Sequence, residues 1–302
     1  MNRLPNLIIG GCHKSGTTSL FNYLKDHPEV SFGIKKEIHY FTPLRYGGEV
    51  PDPAIYEDFF RNSSKETKYL IDASPSYLYG EARLVSNMFE LLESPRVIFI
   101  FRNPTERFVS FVKKRILEGT LSHDLDLLKF VKDSYRMSFL KDVDAPKNRA
   151  FREGCYARHL KYWIDKTDNI SILYFENLVR NPRDLLIQIS KEIKIDSEFY
   201  NSYRFDVSNK YHSVNNLKIH KLAISINKLL ENVLIRNRRM KSALNSFYFF
   251  LNTRKEVIKI RNYSEAIELL NNLYENEITL FKEVSQNFSN IGPLPDWMKK
   301  HI

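Results

Sequence analysis

The chain has 302 residues, a formal net charge of +10, 43% hydrophobic and 13% aromatic residues, and two cysteines. That length allows one large domain or two small ones and buries about three quarters of the unfolded surface, so no disulfide or metal staple is needed. The composition excludes a disordered chain and a disulfide framework, no apolar run reaches the roughly 18 residues of a membrane span, and the basic surplus favours polyanionic partners without choosing among them.

Residues Met1–Asn6 carry no apolar signal run, so folded structure is expected to begin at Leu7, with cytoplasmic residence as the default. Leu7–Gly10 reads as a buried strand, and Thr17–His27 as an amphipathic helix stopped by Pro28. Further buried strands are predicted at Tyr69–Asp72, Val97–Phe101 and Ile170–Tyr174, alternating with helices after Asn103-Pro104 and over Tyr156–Lys166. At the start of the first of these helices Asn103 can cap, Pro104 suits the first turn, and Glu106 completes a capping box. The alternation predicts an α/β fold on a mainly parallel sheet. Cys12 and Cys155 read as buried free thiols.

The texture changes after about residue 208. Leu217–Val284 reads as wholly helical, and residues 218–261 hold eleven Lys and Arg against Glu231 and Glu256. A division follows: an α/β domain over 1–214 and a helical C-terminal extension over 215–302. The basic segment 218–262 also holds Phe247-Tyr248-Phe249-Phe250, a pattern suited to peripheral contact with an anionic membrane or to a solvated helix face over one aromatic cluster.

Three motifs carry chemistry. Gly11-Cys12-His13-Lys14-Ser15-Gly16-Thr17-Thr18 follows a strand and opens a helix, where backbone N–H groups and the helix dipole favour an anion. Gly11 and Gly16 permit close approach, Lys14 supplies charge, and Thr17 and Thr18 supply hydroxyls. Lys14 precedes Gly16, unlike the Gly-x-x-x-x-Gly-Lys-Ser/Thr order of nucleoside-triphosphate loops, and Asp72 is only a weak candidate for a metal-holding acid. In the second motif a strand ends at Arg102, whose fork can grip phosphate; Ser110 follows two helical turns later. The third motif is Lys35-Lys36-Glu37-Ile38-His39-Tyr40-Phe41, either a charged loop or an acid–base cluster; on a strand Glu37 and His39 would face one side.

Together these motifs resemble those of the sulfotransferases that use 3′-phosphoadenosine 5′-phosphosulfate (PAPS). The first is similar to that family's 5′-phosphosulfate loop, Gly-x-x-Lys-x-Gly-Thr-Thr/Ser. The second is similar to its 3′-phosphate segment, and the third to the Lys-Glu-x-His-Phe-Phe of the heparan sulfate-type N- and O-sulfotransferases. The resemblance implies a P-loop-like three-layer sandwich and a PAPS cosubstrate held by Lys14, Ser15, Gly16, Thr17, Thr18, Arg102 and Ser110. Lys210 and Ser213 belong to a late loop that matches more weakly. Glu37 is implied as general base, Lys14 as stabiliser of the leaving group, and Lys36 and His39 as residues shaping the site. His39 is the reserve base, because aryl- and steroid-type members use a histidine. Arg107 matches the motif as a brace.

Asp72-Ala73-Ser74-Pro75-Ser76-Tyr77 resembles the family's acceptor loop but lacks its lysine. The implied acceptor is a hydroxyl or amine on a carbohydrate or glycolipid; no metal is required and no nucleic acid partner is implied. The rival readings are a P-loop nucleotide-dependent kinase and a non-catalytic anion- or membrane-binding protein.

Overall fold

The computed structural model describes residues 4–64, 66–140, 146–164, 166–205, 244 and 258–299. In chain order its elements are β1 (Leu7–Gly11), α1 (Thr17–Lys25), β2 (Val30–Phe32), α2 (Pro53–Asp58), β3 (Tyr69–Asp72), α3 (Glu81–Leu92), β4 (Arg96–Phe101) and α4 (Pro104–Leu117). There follow β5 (Asp124–Asp126), α5 (Leu127–Met137), α6 (Pro146–Arg152), α7 (Tyr156–Leu160), β6 (Ile170–Tyr174), α8 (Phe175–Arg180) and α9 (Pro182–Glu192). The chain ends with β7 (Lys259–Arg261), α10 (Tyr263–Ser285), β8 (Ser289–Asn290) and α11 (Asp296–Lys299). Two 3₁₀ turns matter below, Thr42–Tyr46 and Tyr77–Tyr79.

Six strands form one sheet in the order β2-β3-β1-β4-β6-β8, with parallel pairing throughout. The chain moves outward from β1 to one side, through β2 and β3, then returns to place β4 on the other side. The crevice beyond the carboxyl ends of β1 and β4 is therefore a topological switch point, where open α/β sheets bind ligands. β1, β4 and β6 are buried almost throughout, which explains their unbroken apolar runs. Helix α1 lays Leu20, Phe21, Tyr23 and Leu24 on the core against Ile9, Ile71 and Leu178. Such side chains contribute about 1.5–3 kcal/mol each on full burial.

Compact units cut across the chain. One comprises Met1–Arg107, Phe151–Ser208 and Asn271–Ile302; the other comprises Phe108–Ala150 and Asn209–Leu270. The first holds the sheet. The second includes a short parallel pair, β5 with β7, fastened by Arg261 Nε on Asp124 Oδ1 (2.9 Å) and Asn262 Nδ2 on Asp126 Oδ2 (3.1 Å). The boundary expected at 214/215 falls outside the described residues, as does most of the basic segment 218–262. Where that segment is described it corrects the all-helical expectation: Lys259–Arg261 is a strand. Alternating Ile258-Lys259-Ile260-Arg261 suits an edge pairing with an acidic partner better than a helix face.

Other expectations shift at their ends. α1 stops at Lys25, and the helix expected over Tyr156–Lys166 covers only Tyr156–Leu160. Both cysteines are free and buried. No described helix is long and apolar enough to cross a membrane.

Candidate active site

The Gly11–Thr18 turn sits at the carboxyl end of β1 and leads into α1. Lys14 (φ 69°) and Gly16 (φ 86°) both take left-handed backbone, and Leu20 N donates to Gly16 O (3.0 Å) to start the helix. A Cβ on residue 16 would stand 2.8 Å from Phe175 Cδ2 and 3.1 Å from Leu178 Cδ2, so glycine is required by space and by conformation. Turns with left-handed residues of this kind can direct successive N–H groups into one concavity. Ser15 is fully buried, with its hydroxyl on Cys12 Sγ, and Thr17 is buried as well; Thr18 is half-buried. The Ser15 side chain thus belongs to the loop's inner packing.

Arg102 lies just past β4, the strand beside β1, and Cys12 N donates to Ile100 O (2.9 Å) across that junction. Its guanidinium stacks over Phe175, 4.4 Å from the ring centroid. The same ring abuts Gly16. One aromatic side chain therefore touches both the phosphate-type loop and Arg102. The Arg102 fork is engaged by Glu106, through Nε (3.2 Å) and Nη2 (2.9 Å) on Oε2.

This corrects the capping box. Asn103 Oδ1 does accept from Glu106 N (3.2 Å), but the Glu106 side chain turns to Arg102, and Asn103 N donates to Glu176 Oε1 (2.9 Å) instead. A guanidinium one residue away offers a carboxylate more than a neutral amide does. Ser110 lies half-buried on α4, in the stretch belonging to the second unit. Lys210 and Ser213 lie outside the described residues.

The Lys36–Phe41 segment is a loop, not a strand, which corrects the reason for expecting Glu37 and His39 on one side. Both residues have left-handed backbone (φ 59° and 61°) around buried Ile38. That repeat, rather than a two-residue pleat, brings them together. Lys36 Nζ donates to Glu37 Oε1 (2.6 Å) and to Thr18 Oγ1 (3.1 Å), joining the loop to the phosphate-type turn. His39 Nε2 stands 3.6 Å from Glu37 Oε2. His39 foremost, with Lys36 adding, holds the Glu37 carboxyl well below the usual carboxylate range, against the upward push of partial burial.

Backbone this strained persists where neighbours over-determine it. Tyr40 stacks on Tyr56 with centroids 4.2 Å apart, and Phe41 is fully buried. His39 N donates to Ser74 Oγ (3.0 Å), and its Nδ1 meets Ser76 Oγ (3.1 Å) and Thr42 Oγ1 (3.3 Å). Ser74 in turn donates to Asp72 Oδ1 (2.7 Å), while Tyr56 and Tyr77 donate to Asp72 Oδ2. Burial raises the Asp72 carboxyl even against these three hydroxyls. Asp72 is thus a buried tie-point for the Lys36–Phe41 loop, and its oxygens are occupied.

A second buried carboxylate escaped the sequence reading. Glu153 is 1% exposed, and its oxygens meet three bases: His13 Nδ1 (3.1 Å), Arg45 Nη2 (3.0 Å) and Arg107 Nη1 (3.7 Å). Burial pushes its carboxyl up, but His13, Arg45 and Arg107 outweigh burial and hold it well below the usual range. Arg107 is fully buried here and braces the phosphate-type loop through Glu153. Among the described residues no group of three or more His, Cys, Asp or Glu side chains is disposed to hold a metal ion.

A parallel sheet with an anion-suited turn at the carboxyl end of its first strand defines an α/β protein of the phosphate-loop type. The chain belongs to the sulfotransferase-domain family, whose model matches residues 4–228. A bifunctional heparan sulfate N-deacetylase/N-sulfotransferase of Drosophila melanogaster is 24% identical over 233 residues, covering 69% of this chain and 22% of that protein. The heparan sulfate glucosamine 3-O-sulfotransferase 3B1 of Mus musculus is 26% identical over 205 residues, covering 66% and 49%. The chain thus spans about a fifth to about a half of these curated relatives. A sulfotransferase from Alicyclobacillus acidocaldarius has the same fold, with a TM-score of 0.56 at 21% identity over 80% of this chain and 99% of that one.

Proposed function

We propose that the protein transfers a sulfuryl group from PAPS to a hydroxyl or amine of a carbohydrate or glycolipid, with Glu37 as general base. One observation carries the reading: the Lys14 turn and Arg102 occupy neighbouring strand ends and share Phe175, while Lys36 ties Glu37 to Thr18. Two cationic grips on one crevice suit a molecule with an anion at each end, and a carboxylate stands at the rim of one of them. Gly16 lets the turn pack against Phe175 and Leu178 in left-handed backbone, which supports a turn whose N–H groups face a phosphosulfate.

In this reading Lys14 and the start of α1 neutralise charge on the departing 3′-phosphoadenosine 5′-phosphate, while Arg102 holds its 3′ end. Glu37 takes the proton as the acceptor oxygen or nitrogen forms its bond to sulfur and the bridging S–O bond breaks. Positioning and charge stabilisation supply the rate, as in phosphoryl transfer. Lys36 has a role on both sides: it touches the donor loop and lowers the basicity of Glu37.

The test is transfer from radiolabelled PAPS across glycan, glycolipid, aryl and steroid acceptors, paired with calorimetry. Binding of 3′-phosphoadenosine 5′-phosphate without magnesium, with label on a sugar acceptor, is the expected result. Preference for ATP with magnesium would overturn the donor reading, and label only on aryl or steroid alcohols would overturn the acceptor class.

A further inference from the structure

We propose that Glu153 is a positioning residue that spans the two halves of the site, fixing the donor loop through His13 and the base-bearing loop through Arg45. The inference rests on the donor reading above. Its geometry is that of a strut. The two oxygens of one buried carboxylate serve different loops: Oε2 meets His13, the residue before Lys14, and Oε1 meets Arg45. Arg45 lies on the turn Thr42–Tyr46, whose first residue contacts His39 Nδ1, and His39 stands beside Glu37. A path therefore runs from His13 through Glu153 to Arg45, along the turn to Thr42, and on to His39 and Glu37.

The surroundings hold that strut stiff. Arg107 closes the carboxylate from α4, and Tyr79 receives His13 N at its hydroxyl (3.1 Å) while its ring packs on His13 and beneath the Arg45 guanidinium. Arg45 and Glu153 are 6% and 1% exposed, so the pair works in a low-dielectric interior where a lost partner is costly. Lys36 joins the same two loops at the rim, through Thr18 and Glu37. The site is thus bridged twice, once at its mouth by a half-buried lysine and once at its base by a buried glutamate. In-line transfer requires the attacking atom, sulfur and leaving oxygen to be aligned, and a misplacement of about 1 Å can cost about a hundredfold in rate. A base strut governs that alignment without touching the substrate.

The test is a double-mutant cycle with His13→Ala and Arg45→Met, each removing the donor of one arm, read as PAPS turnover with the best acceptor of the panel. If the arms act as one strut, breaking either breaks it. Each single variant then loses about 10- to 100-fold in kcat, and the double variant loses little more than the worse single. Affinity for 3′-phosphoadenosine 5′-phosphate stays within about threefold of the parent, because Lys14, the helix start and Arg102 remain; a merely structural role would instead lower both.

Losses in kcat that multiply in the double variant, or that appear equally in nucleotide affinity, overturn the strut. Absence of PAPS turnover in the unsubstituted protein overturns the donor reading and this proposal with it, whereas turnover with independent losses overturns this proposal alone. Glu153→Gln gives a further check where it folds, with the same kcat loss expected as in either single variant. Where it does not fold, the surface-accessible His13 arm still decides.

Discussion

The two loops that meet at Thr18 and Lys36 are built on different principles. The phosphate-type turn is a backbone object: it grows from a buried strand, is registered by the Cys12–Ile100 bond to β4, and ends in a helix. The Lys36–Phe41 loop is itself neither strand nor helix. Its two left-handed residues are held by side chains, the hydroxyls of Ser74, Ser76 and Thr42 and a cluster of buried aromatics. The difference teaches where each fails: the turn keeps its shape when a side chain is lost, although its placement draws on His13 and Glu153, while the Lys36–Phe41 loop needs side-chain atoms even for its shape.

The largest expected effect is on the base loop. Glu37→Gln should lower kcat by about 10²–10⁴, with affinity for 3′-phosphoadenosine 5′-phosphate retained in calorimetry; unchanged kcat would remove Glu37 as base and promote His39. Next comes Lys14→Ala on the backbone-built turn. Turnover should fall by about 10²–10³, yet a melting curve should match the parent, since Gly16 and the start of α1 still shape the cradle. A melting point that falls along with the rate would show the turn to be as side-chain-dependent as its partner.

The smallest effect is one of pH. His39 is the foremost group holding Glu37 below the usual carboxylate range, so in the parent the base stays ionised well into acid. A base must be deprotonated, so the rate falls as pH drops through its pKa. Raising that pKa moves the fall to higher pH. His39→Asn should therefore shift the acid limb of kcat up toward about pH 4.3, the ordinary glutamate value; a limb that does not move would detach His39 from Glu37. The same sign holds for stability: a depressed Glu37 stabilises the fold above the unfolded glutamate pKa, and that contribution is lost as pH falls toward the native value.

The backbone-built half was readable from the chain because its chemistry is local. Gly11, Lys14 and Gly16 at fixed offsets after Leu7-Ile8-Ile9 specify a turn with few alternatives, and Val97–Phe101 followed by Arg102 is a buried strand with a charged end. The side-chain-built half was readable only in composition. Lys36, Glu37 and His39 are residue types that suit an acid–base cluster, but alternation along a sequence does not reveal that positive φ, not a pleat, aligns two of them. Glu153 and Arg45 were illegible for a plainer reason: a charged residue next to Gly154, or in a Pro-Leu-Arg turn, looks like any solvated charge until the fold buries it. The strands β2, β5, β7 and β8 span two or three residues each, too short for periodicity to register.

Arg102 is parked, not locked. Its guanidinium lies over the Phe175 ring, 4.4 Å from the centroid, a contact that an anion on the guanidinium nitrogens need not displace on the proposed reading. At those nitrogens sits Glu106, whose side chain is 58% exposed, and helical pairs of this kind are worth about 0.3–0.5 kcal/mol. On the proposed donor reading, a phosphate that displaces the Glu106 carboxylate from Arg102 therefore gives up an ion pair of only that size.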